Sequence, residues 1–518
     1  MNFQFLLAFS IFLSFANGYK ILFLAPMNGK SHFLYISSFV KALIGRGHEV
    51  TFLTSNSLRN LNLPNYTEVL VDPPLEMSAM VKQDDFVDMA SASIFSCVHL
   101  LRDMPRIFNP YTLQNANIQK FIHSTGLHFD LVINEEFYGD SMLMFAHKFK
   151  APIITICPFG VPEYIDRQQG LLTPISFVPH WMLPFSDNMT FYERFLNLIL
   201  NAYDWAVRRY QFIPTEEEYV QKYFAHLAPL PSIDELHKNV SLVLVNSHRA
   251  LSPPRPSMPS IISIGGAHIK PAEPLPKEIQ TFIDGAKHGV IYFSLGTVLK
   301  SSKLPKEKLD AFLGTFKSLK QRVLWKFEDD SIKNVPSNVM IKKWMPQNDI
   351  LAHPKVILFI SHGGLFGTSE SLYHGVPLLL IPFFGDQHRN AHRIQTAGYG
   401  QFMPFPEVNK DSFSKTINEL LSDESYLTKA KETSAIFKDN LVNPMDEAMF
   451  WIEHVCRFKG AKHLKSHAIN MSWFTYLSLD IILANVVILL AGVLVLYKII
   501  CALVSRKKQT TAPGKKQK

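Results

Sequence analysis

The feature that most constrains this chain is an uncharged apolar run near its C-terminus, at residues 481–497. The run consists mainly of Ile, Leu, Val and Ala, and it extends through Lys498 to Val504. That length is enough to cross a hydrocarbon layer roughly 30 Å thick. Asp480 precedes the run, and Lys498 can extend its ammonium group toward the lipid headgroups. The sequence therefore predicts one transmembrane helix over residues 479–504.

Residues 505–518 are rich in basic side chains and contain no acidic residue. The basic residues are Arg506, Lys507, Lys508, Lys515, Lys516 and Lys518. A basic flank indicates a cytosolic tail, and the last four residues match the dilysine signal read by the retrieval machinery of the endoplasmic reticulum. Of the 52 Lys and Arg residues, six lie in this tail, and the other 46 face 44 acidic residues. The net charge of +8 therefore gives no support to nucleic-acid binding.

The N-terminus has an apolar core from Phe3 to Phe15, followed by small residues up to Gly18. This core is too short to span a bilayer, and the pattern predicts a signal peptide over residues 1–18. Together with the C-terminal span, it predicts a single-pass type I protein of the endoplasmic reticulum membrane, with its main part in the lumen. Four sequons lie on the lumenal side and are candidate glycosylation sites: Asn65, Asn188, Asn239 and Asn470.

Roughly 450 residues remain between the signal peptide and the span, which is enough for two domains of ordinary size. A proline-dense stretch at residues 252–276 divides them, because proline can continue neither a helix nor a central strand. We therefore expect an N-terminal domain over residues 19–251, a linker over 252–276 and a C-terminal domain over 277–473. The four cysteines form no disulfide framework, so each domain must depend on its hydrophobic core.

Both predicted domains alternate apolar runs with helix-like segments. In the first, strands at residues 20–24 and 49–53 enclose a helix at 33–45; in the second, a strand at 289–295 precedes a helix at 305–319. Further apolar runs lie at residues 323–326, 339–341, 356–360 and 376–381. This alternation predicts parallel sheets covered by helices on both faces. The expected fold class is α/β, with two doubly wound, Rossmann-like domains facing a cleft.

Residues 181–224 are rich in Phe, Tyr, Leu and Trp. Aromatic residues at helical spacing most often pack in a core. A lining for an apolar ligand and a membrane-facing patch are the alternatives for this stretch.

The first strand is followed by a glycine turn that brings a histidine to the mouth of the sheet. Ligands of open α/β sheets bind where strands end and helices begin. Gly29-Lys30-Ser31 resembles part of a P-loop, but Leu24 stands where that motif needs glycine, and no GxGxxG fingerprint occurs. His32 is therefore a candidate catalytic residue, and a structural role before a helix is the alternative.

A second junction lies in the C-terminal half, at the Ser-His-Gly-Gly sequence of residues 361–364. Its glycines let the backbone approach a ligand, and free N–H groups at a helix N-terminus suit phosphate oxygens. Glu370 lies in the following helix, where it can accept hydrogen bonds from ribose hydroxyls. After the next strand, Asp386 and Gln387 offer acceptors and donors for a polyhydroxylated sugar. Together these residues indicate a nucleotide-sugar site.

Residues 344–387 resemble the signature of the UDP-glycosyltransferase family, including its Trp-Met-Pro-Gln-Asn-Asp lead-in at residues 344–349. The resemblance extends over nearly the whole chain, from the signal peptide through His32 and the Ser-Leu-Gly-Thr loop at 294–297 to the anchor and the dilysine end. It favours the animal, membrane-anchored branch, and insect-type members in particular. It implies a GT-B fold in which the N-terminal domain binds the acceptor and the C-terminal domain binds the UDP-sugar.

The resemblance also implies roles for residues of the C-terminal domain. Trp344 would stack on uracil, and Gln347 would lie beside the base and the ribose. Glu370 would hold the ribose hydroxyls, and Asp386 with Gln387 would hold the sugar. The phosphates would be held by Ser294, Ser361, His362 and Gly367, and Gly364 is a further donor-binding residue.

On the acceptor side, the resemblance makes His32 the general base. In the family its acidic partner follows a strand of the first domain. The matching position here is Glu135, where many members carry Asp, and Asp140 is the alternative partner. A second departure is Phe366, where many relatives have an asparagine that helps to bind phosphate.

The reaction implied by the resemblance is a single displacement with inversion at the anomeric carbon. His32 takes the proton from an acceptor hydroxyl, and the acidic partner stabilises the imidazolium. The helix N-terminus and His362 would offset the charge of the departing UDP. No Asp-x-Asp motif occurs in the sequence, so we expect the UDP-sugar as co-substrate and no cofactor or metal.

Two other functions remain compatible with the sequence. One is a GT-B-like epimerase or phosphorylase, and the other is a non-catalytic binder of lipophilic ligands or nucleotide sugars, made plausible by Glu135 and Phe366. The expected acceptor is a small lipophilic molecule such as a phenol or an alcohol. Insect-type members imply glucose and vertebrate ones glucuronic acid, for which His388 would be the neighbouring cationic contact. The oligomeric state is left open, with a homo-oligomer as one option.

Overall fold

The computed structural model describes residues 18–75, 87–137, 139–329 and 332–510. The chain up to Lys465 forms one compact unit, and the chain from Ser466 onward forms a second. The predicted signal peptide, apart from Gly18, and the dilysine end of the tail lie outside the described residues.

Among the described residues, the first sheet has seven strands, all parallel, in the order β3-β2-β1-β4-β5-β6-β7. The strands are Lys20–Ala25 (β1), Glu49–Thr54 (β2), Tyr66–Leu70 (β3), Leu131–Glu135 (β4), Ile153–Cys157 (β5), Val240–Val245 (β6) and Ile261–Ser263 (β7). The helices of this half are Lys30–Gly45 (α1), Ile94–Asp103 (α2), Pro105–Gln114 (α3), Ala116–Ile122 (α4), Met144–Phe149 (α5), Glu163–Gln168 (α6), Phe191–Val207 (α7), Ile213–Phe224 (α8) and Ile233–Asn239 (α9).

The second sheet has six described strands, again all parallel, in the order β10-β9-β8-β11-β12-β13. The strands are Val290–Ser294 (β8), Arg322–Lys326 (β9), Val339–Lys342 (β10), Val356–Ser361 (β11), Leu378–Leu380 (β12) and Gly400–Phe402 (β13). The helices that follow in the chain are Lys277–Asp284 (α10), Lys306–Ser318 (α11), Gln347–Leu351 (α12), Leu365–His374 (α13), Gln387–Thr396 (α14), Lys410–Ser422 (α15), Glu424–Lys438 (α16) and Pro444–Phe458 (α17).

Strand β1 shows why these sheets need helices on both faces. Leu22 and Leu24 belong to one buried apolar cluster, whereas Ile21 and Phe23 belong to another. Successive side chains of a strand point to opposite faces, so both faces of the strand are covered. The predicted pair of doubly wound parallel sheets is confirmed.

Each sheet reverses its strand order once, and the ends of those two strands position the candidate site. In the first sheet, β1 and β4 are neighbours although four described helices and two strands are inserted between them in sequence. In the second sheet, β8 and β11 are neighbours, with Ser294 paired to Ser361. At such a point the following loops separate to either face, which leaves a crevice at the carboxyl ends of the strands.

The structure differs from the expected domain boundaries in two places. Strand β7 lies inside the range predicted as a linker, 252–276, and pairs with β6 as the edge of the first sheet. Helix α17 lies in the range assigned to the C-terminal domain, yet Met449 and Ile452 pack in the cluster that covers β1 on the first sheet. The chain therefore returns to its first half before the second unit begins.

The second unit contains Trp473–Tyr476 (α18) and the long helix Leu479–Thr510 (α19). Within Leu479–Lys507 an 18-residue stretch reaches a mean hydropathy of 2.8, and the helix is long and apolar enough to cross a membrane by length and composition. It is a candidate span that continues a few residues beyond the predicted end at residue 504.

The sequons and cysteines are placed as the sequence suggests. All four sequon asparagines are exposed: Asn65, Asn188, Asn239 and Asn470. Cys97, Cys157 and Cys456 are buried free thiols, and Cys501 lies on α19. Use of the sequons stays a prediction.

Candidate active site

One cavity of about 470 Å³ brings together His32 and every residue predicted to bind the donor. Those donor residues are Ser294, Trp344, Gln347, Ser361, His362, Gly364, Gly367, Glu370, Asp386 and Gln387. The cavity lies between the ends of β1 and β4 on one side and the ends of the strands of the second sheet on the other. The volume falls within the range typical of small-molecule sites.

The His32 ring contacts a carboxylate that is not part of the cavity lining. Its Nδ1 atom lies 2.6 Å from Oε1 of Glu135, the last residue of β4. The His32 side chain keeps 17% of its surface exposed, whereas that of Glu135 keeps only 3%. The carboxylate fixes the Nδ1–H tautomer, so Nε2 is left as the basic nitrogen that a ligand in the cavity can reach. Phe137 packs edge-on against the His32 ring at 4.7 Å.

Asp140, the alternative partner, is engaged elsewhere. One of its carboxylate oxygens lies 2.7 Å from Nη2 of Arg208 and 2.9 Å from Nε2 of His237. These two groups hold the pKa of Asp140 well below its usual range, although burial acts in the opposite direction. Asp140 therefore belongs to a buried ionic cluster, and the carboxylate beside His32 is that of Glu135.

The turn after β11 is shaped around the His362 ring. A Cβ atom on Gly364 would lie 2.5 Å from the Nε2 atom of His362, and a Cβ on Gly296 would lie 2.6 Å from its Cε1 atom. Gly296 also has a φ of +80°, a conformation that favours glycine. Gly364 is the N-cap of α13 and no side chain caps that end, so the first N–H groups of α13 remain free for an anion.

His362 is not a cation in this site. Burial lowers its pKa to about 4, and the nearby Lys326 ammonium contributes to the shift. The ring is therefore neutral near pH 7 and can act only as a hydrogen-bonding group.

The cation of this side of the cavity is Lys326, which sequence reasoning did not single out. It is the last residue of β9, lines the cavity and is only 7% exposed. Its Nζ atom donates to the carbonyl oxygen of Gly296 and to Oε1 of Glu328, both at 2.8 Å. The sequence feature that could have identified Lys326 is its position at the carboxyl end of a buried parallel strand.

Trp344 and Lys30 meet at the edge of the cavity. Trp344 is 48% exposed, and the Nζ atom of Lys30 lies 4.0 Å from the centroid of its ring. Lys30 starts α1, two residues before His32, so a cation–π contact joins the His32 turn to the predicted uracil platform.

Gln347 and Glu370, both expected beside the ribose, contact each other directly. Nε2 of Gln347 donates to Oε2 of Glu370 at 2.6 Å. Burial raises the pKa of Glu370 to about 7, even though the hydrogen bond from Gln347 acts to lower it. Glu370 therefore changes charge near neutral pH.

Asp386 and Gln387 lie at the start of α14 and each has one group left for a ligand. Oε1 of Gln387 accepts from the backbone N–H groups of Phe383 and Phe384 at 2.9 and 3.2 Å, which leaves its NH₂ group. Oδ2 of Asp386 accepts from Nδ2 of Asn390 at 2.8 Å, which leaves Oδ1. His388, the neighbouring residue, is not part of the cavity lining, and burial lowers its pKa.

Phe366 fills the space between α13 and α1 with an aromatic ring. The ring lies 5.0 Å from Tyr35, 5.3 Å from His268 and 6.1 Å from His32, measured between centroids. At this position the family pattern often has an asparagine that contacts phosphate. Here the side chain packs instead against α1, the helix that carries His32.

The far wall of the cavity is apolar. It includes Met89, Leu101, Met104, Phe159 and Trp181. The aromatic stretch at residues 181–224 is therefore divided: its first residue lines the cavity, Phe212 and Phe224 are buried in the core, and Phe191 and Tyr192 are exposed.

The sequence matches the family described as UDP-glucoronosyl and UDP-glucosyl transferase over residues 20–515. The chain belongs to the UDP-glycosyltransferase family. It is an enzyme of the glycosyltransferase class that uses a UDP-sugar as donor, as its membership and the names of its relatives show.

Insect and mammalian members are both similar to the chain over most of its length. It is 36% identical to UDP-glycosyltransferase UGT5 of Dactylopius coccus, covering 100% of both chains. It is 34% identical to UDP-glucosyltransferase 2 of the same insect, covering 92% of this chain and 91% of that one. It is 32% identical to UDP-glucuronosyltransferase 2B1 of Rattus norvegicus, covering 94% of each.

Solved structures confirm the fold. The calicheamicin glycosyltransferase CalG4 superposes with a TM-score of 0.58 at 16% identity, covering 85% of this chain and 99% of that one. The spinosyn forosaminyltransferase SpnP gives a TM-score of 0.58 at 17% identity, covering 84% and 99%. These are glycosyltransferases of the GT-B fold, so the fold class expected for this UDP-glycosyltransferase is correct.

Proposed function

We propose that this UDP-glycosyltransferase transfers glucose from UDP-glucose to a hydroxyl group of a small lipophilic acceptor, with inversion at the anomeric carbon. The observation that carries the proposal is the contact between His32 and Glu135 at the cavity wall. Glucose is favoured because one of the insect relatives is named a UDP-glucosyltransferase. The apolar wall around Met104 and Trp181 suits an acceptor with little polarity.

In the proposed reaction, Nε2 of His32 takes the proton from the acceptor hydroxyl. The acceptor oxygen then forms its bond to the anomeric carbon as the bond between that carbon and the diphosphate oxygen breaks, so configuration inverts. Glu135 stabilises the imidazolium through Nδ1–H and does not itself take the proton. UDP leaves with the bonding electron pair.

The charge of the leaving diphosphate would be met by three features of the second sheet. These are the free N–H groups at the start of α13, the Lys326 ammonium and the neutral His362 ring as a hydrogen-bonding group. Such groups lie in place before the reaction, so they stabilise the developing charge without reorganising. Trp344 would stack on uracil, Glu370 would accept from the ribose hydroxyls, and the Gln387 amide with Asp386 would hold the sugar.

The proposal needs no metal. Among the described residues, no group of three or more His, Cys, Asp or Glu side chains is arranged to hold a metal ion. Independence from metal stays a prediction. We further propose that the candidate span α19 anchors the enzyme in the membrane of the endoplasmic reticulum with the catalytic unit in the lumen and that exposed sequons such as Asn188 carry glycans there.

The proposed donor and stereochemistry can be tested together. Membranes containing the full chain would be supplied with UDP-glucose, UDP-glucuronic acid or UDP-galactose and a simple phenol, and the product would be analysed by NMR. We expect a β-glucoside from UDP-glucose, because the donor is α-linked and the reaction inverts. Transfer from UDP-glucuronic acid in preference to glucose would contradict the assigned donor, and an α-linked product would contradict the single displacement.

A further inference from the structure

A second cavity, of about 1060 Å³, lies on the other face of helix α14 and shares none of the residues of the candidate active site. Two arginines one turn apart on that helix, Arg389 and Arg393, line it. Arg255, from the segment before β7, lines it as well, and so does Arg249, which donates to Oδ1 of Asn440 at 3.3 Å. Of these four arginines, Arg255, Arg389 and Arg393 are the three whose charges act on one another.

The three arginines are not equally paired. Arg255 forms an ion pair with Asp166 and donates to the carbonyl oxygen of Val161 at 2.7 Å. Arg389 has Glu163 near enough to act on its pKa, but the two do not approach within ion-pair distance. Arg393 has no carboxylate within 4.0 Å in the part of the chain that the structure describes.

Burial makes this arrangement costly without a further partner. Arg389 is only 7% exposed, and the Nε atoms of both Arg389 and Arg393 are buried with no hydrogen-bond partner among the described residues. Burial lowers the pKa of both side chains, and their mutual repulsion acts on Arg393 in the same direction. A guanidinium group stays charged in a protein, so a buried one calls for an anion.

The carboxylates near Arg389 and Arg393 act on them only from a distance. Glu163 and Asp386 raise the pKa of Arg389, and Asp386 also raises that of Arg393, but among the described residues neither carboxylate forms an ion pair or a hydrogen bond with either guanidinium group. Glu447 also lines the cavity, but it is not among the groups that act on Arg393. The buried guanidinium donors without an acceptor match a planar pair of acceptor oxygens, which a carboxylate provides.

The rest of the lining is mixed: it includes polar side chains such as those of Ser252 and Asn440, together with a large apolar part. Phe177, Leu441, Val442, Phe450 and Trp451 form much of this apolar part. The rings of Phe450 and Trp451 meet edge to face, with centroids 5.3 Å apart. A small inorganic anion would leave this surface unused, whereas a molecule with an extended apolar body would cover it.

From this arrangement we infer that the cavity behind α14 binds an organic monocarboxylate with an apolar body. The carboxylate lies between Arg389 and Arg393, and the apolar body lies against Phe450 and Trp451. The site is separate from the one that holds the proposed donor and acceptor, and the inference does not depend on the transfer reaction.

The test uses the full chain in lipid nanodiscs and a photoreactive dodecanoate that carries a diazirine near its methyl end. Dodecanol with the same diazirine is the matched apolar probe, and inorganic phosphate is the competing free anion. Labelled peptides would be mapped by mass spectrometry. We expect the carboxylate probe to label peptides within residues 440–451, at least fivefold more than the alcohol does, with no competition from millimolar phosphate.

Two variants complete the experiment. Arg393→Met removes the unpaired charge, and we expect it to reduce labelling at least fivefold without lowering Tm, because no internal partner is lost. Arg106→Met, at an exposed arginine on α3, is the matched control and should label like wild type. Equal labelling by the alcohol, displacement by phosphate, or unchanged labelling of Arg393→Met would each overturn the inference. A fall in the Tm of Arg393→Met would also overturn it, since that would reveal an internal partner for the charge.

Discussion

Nδ1 of His32 lies 2.6 Å from Oε1 of Glu135 although 103 residues separate them in the chain. The two come together because β1 and β4 are neighbours at the point where the first sheet reverses its strand order. One strand delivers the imidazole through the turn after it, and the other ends in the carboxylate. The topology of the sheet therefore brings the candidate base and its partner into contact.

Replacing Glu135 by Gln should lower kcat by on the order of 10²-fold, because the imidazolium loses its counter-charge while the side-chain length is kept. Glu135→Asp should also be slow, since the shorter side chain withdraws from Nδ1. Steady-state kinetics with saturating donor would measure both. Glu136→Gln is the matched control: this neighbouring carboxyl is buried, and burial raises its pKa to about 7. The assignment would be wrong if Glu136→Gln, rather than Glu135→Gln, lost activity.

Asp140→Asn should act on stability rather than on catalysis. It leaves Arg208 buried without its counter-charge, which typically costs about 3–5 kcal/mol of unfolding free energy. The control is Asp234→Asn, which breaks a pair with Arg209 in which the Asp side chain is 59% exposed, and such surface pairs contribute about 0–1 kcal/mol. Chemical denaturation of the membrane-extracted enzyme would compare the two. If Asp140→Asn instead lost most of its kcat per folded molecule, Asp140 rather than Glu135 would be the acidic partner of His32.

Affinity for the donor should depend on pH through Glu370. Its pKa is about 7 in the empty site, and ribose hydroxyls donate more strongly to the ionised carboxylate than to the neutral acid. Binding therefore releases a proton below pH 7, so the KM for the UDP-sugar should fall as pH rises from 6 to 8. Glu370→Gln should raise KM and flatten this dependence. A wild-type KM that rises over the same interval would contradict the proposed contact.

Phe366→Asn introduces the residue common in the family, and it should nevertheless reduce activity in this chain. It removes the ring that packs between Tyr35 and His268 and reaches toward His32. The ring is partly buried, so its loss should cost less stability than the about 3–5 kcal/mol typical of a fully buried aromatic ring. Phe366→Leu keeps most of the volume and should retain more of both stability and kcat. An Asn variant with wild-type Tm and a lower donor KM would show that the phosphate contact matters more than the packing.

Strands β1, β2 and β8 to β12 could be predicted from the sequence because buried parallel strands are uninterrupted apolar runs bounded by helices. Strand β7 could not, because it is three residues long and lies among prolines. The return of α17 to the first sheet could not be predicted either, since a helix's apolar face does not identify the surface that covers it.

The residues of the site could be predicted where a motif marks them, but their charges could not. Burial makes His362 neutral and gives Glu370 a pKa near 7, and neither effect can be read from residue type. Lys326 was missed because it carries no motif and is recognised only by its place at the end of β9. Glu135 and Asp140 were distinguished by distance alone.

The central claim is that His32 is the general base of a sugar transfer. It is tested most directly by comparing His32→Ala with wild type in turnover of UDP-glucose with a simple phenol, while UDP binding is measured on the same preparations. We expect UDP to bind both forms with similar affinity, because His32 lies outside the residues proposed to hold UDP, and we expect kcat to fall by about 10²- to 10⁴-fold. Turnover by His32→Ala within a few-fold of wild type would contradict the claim.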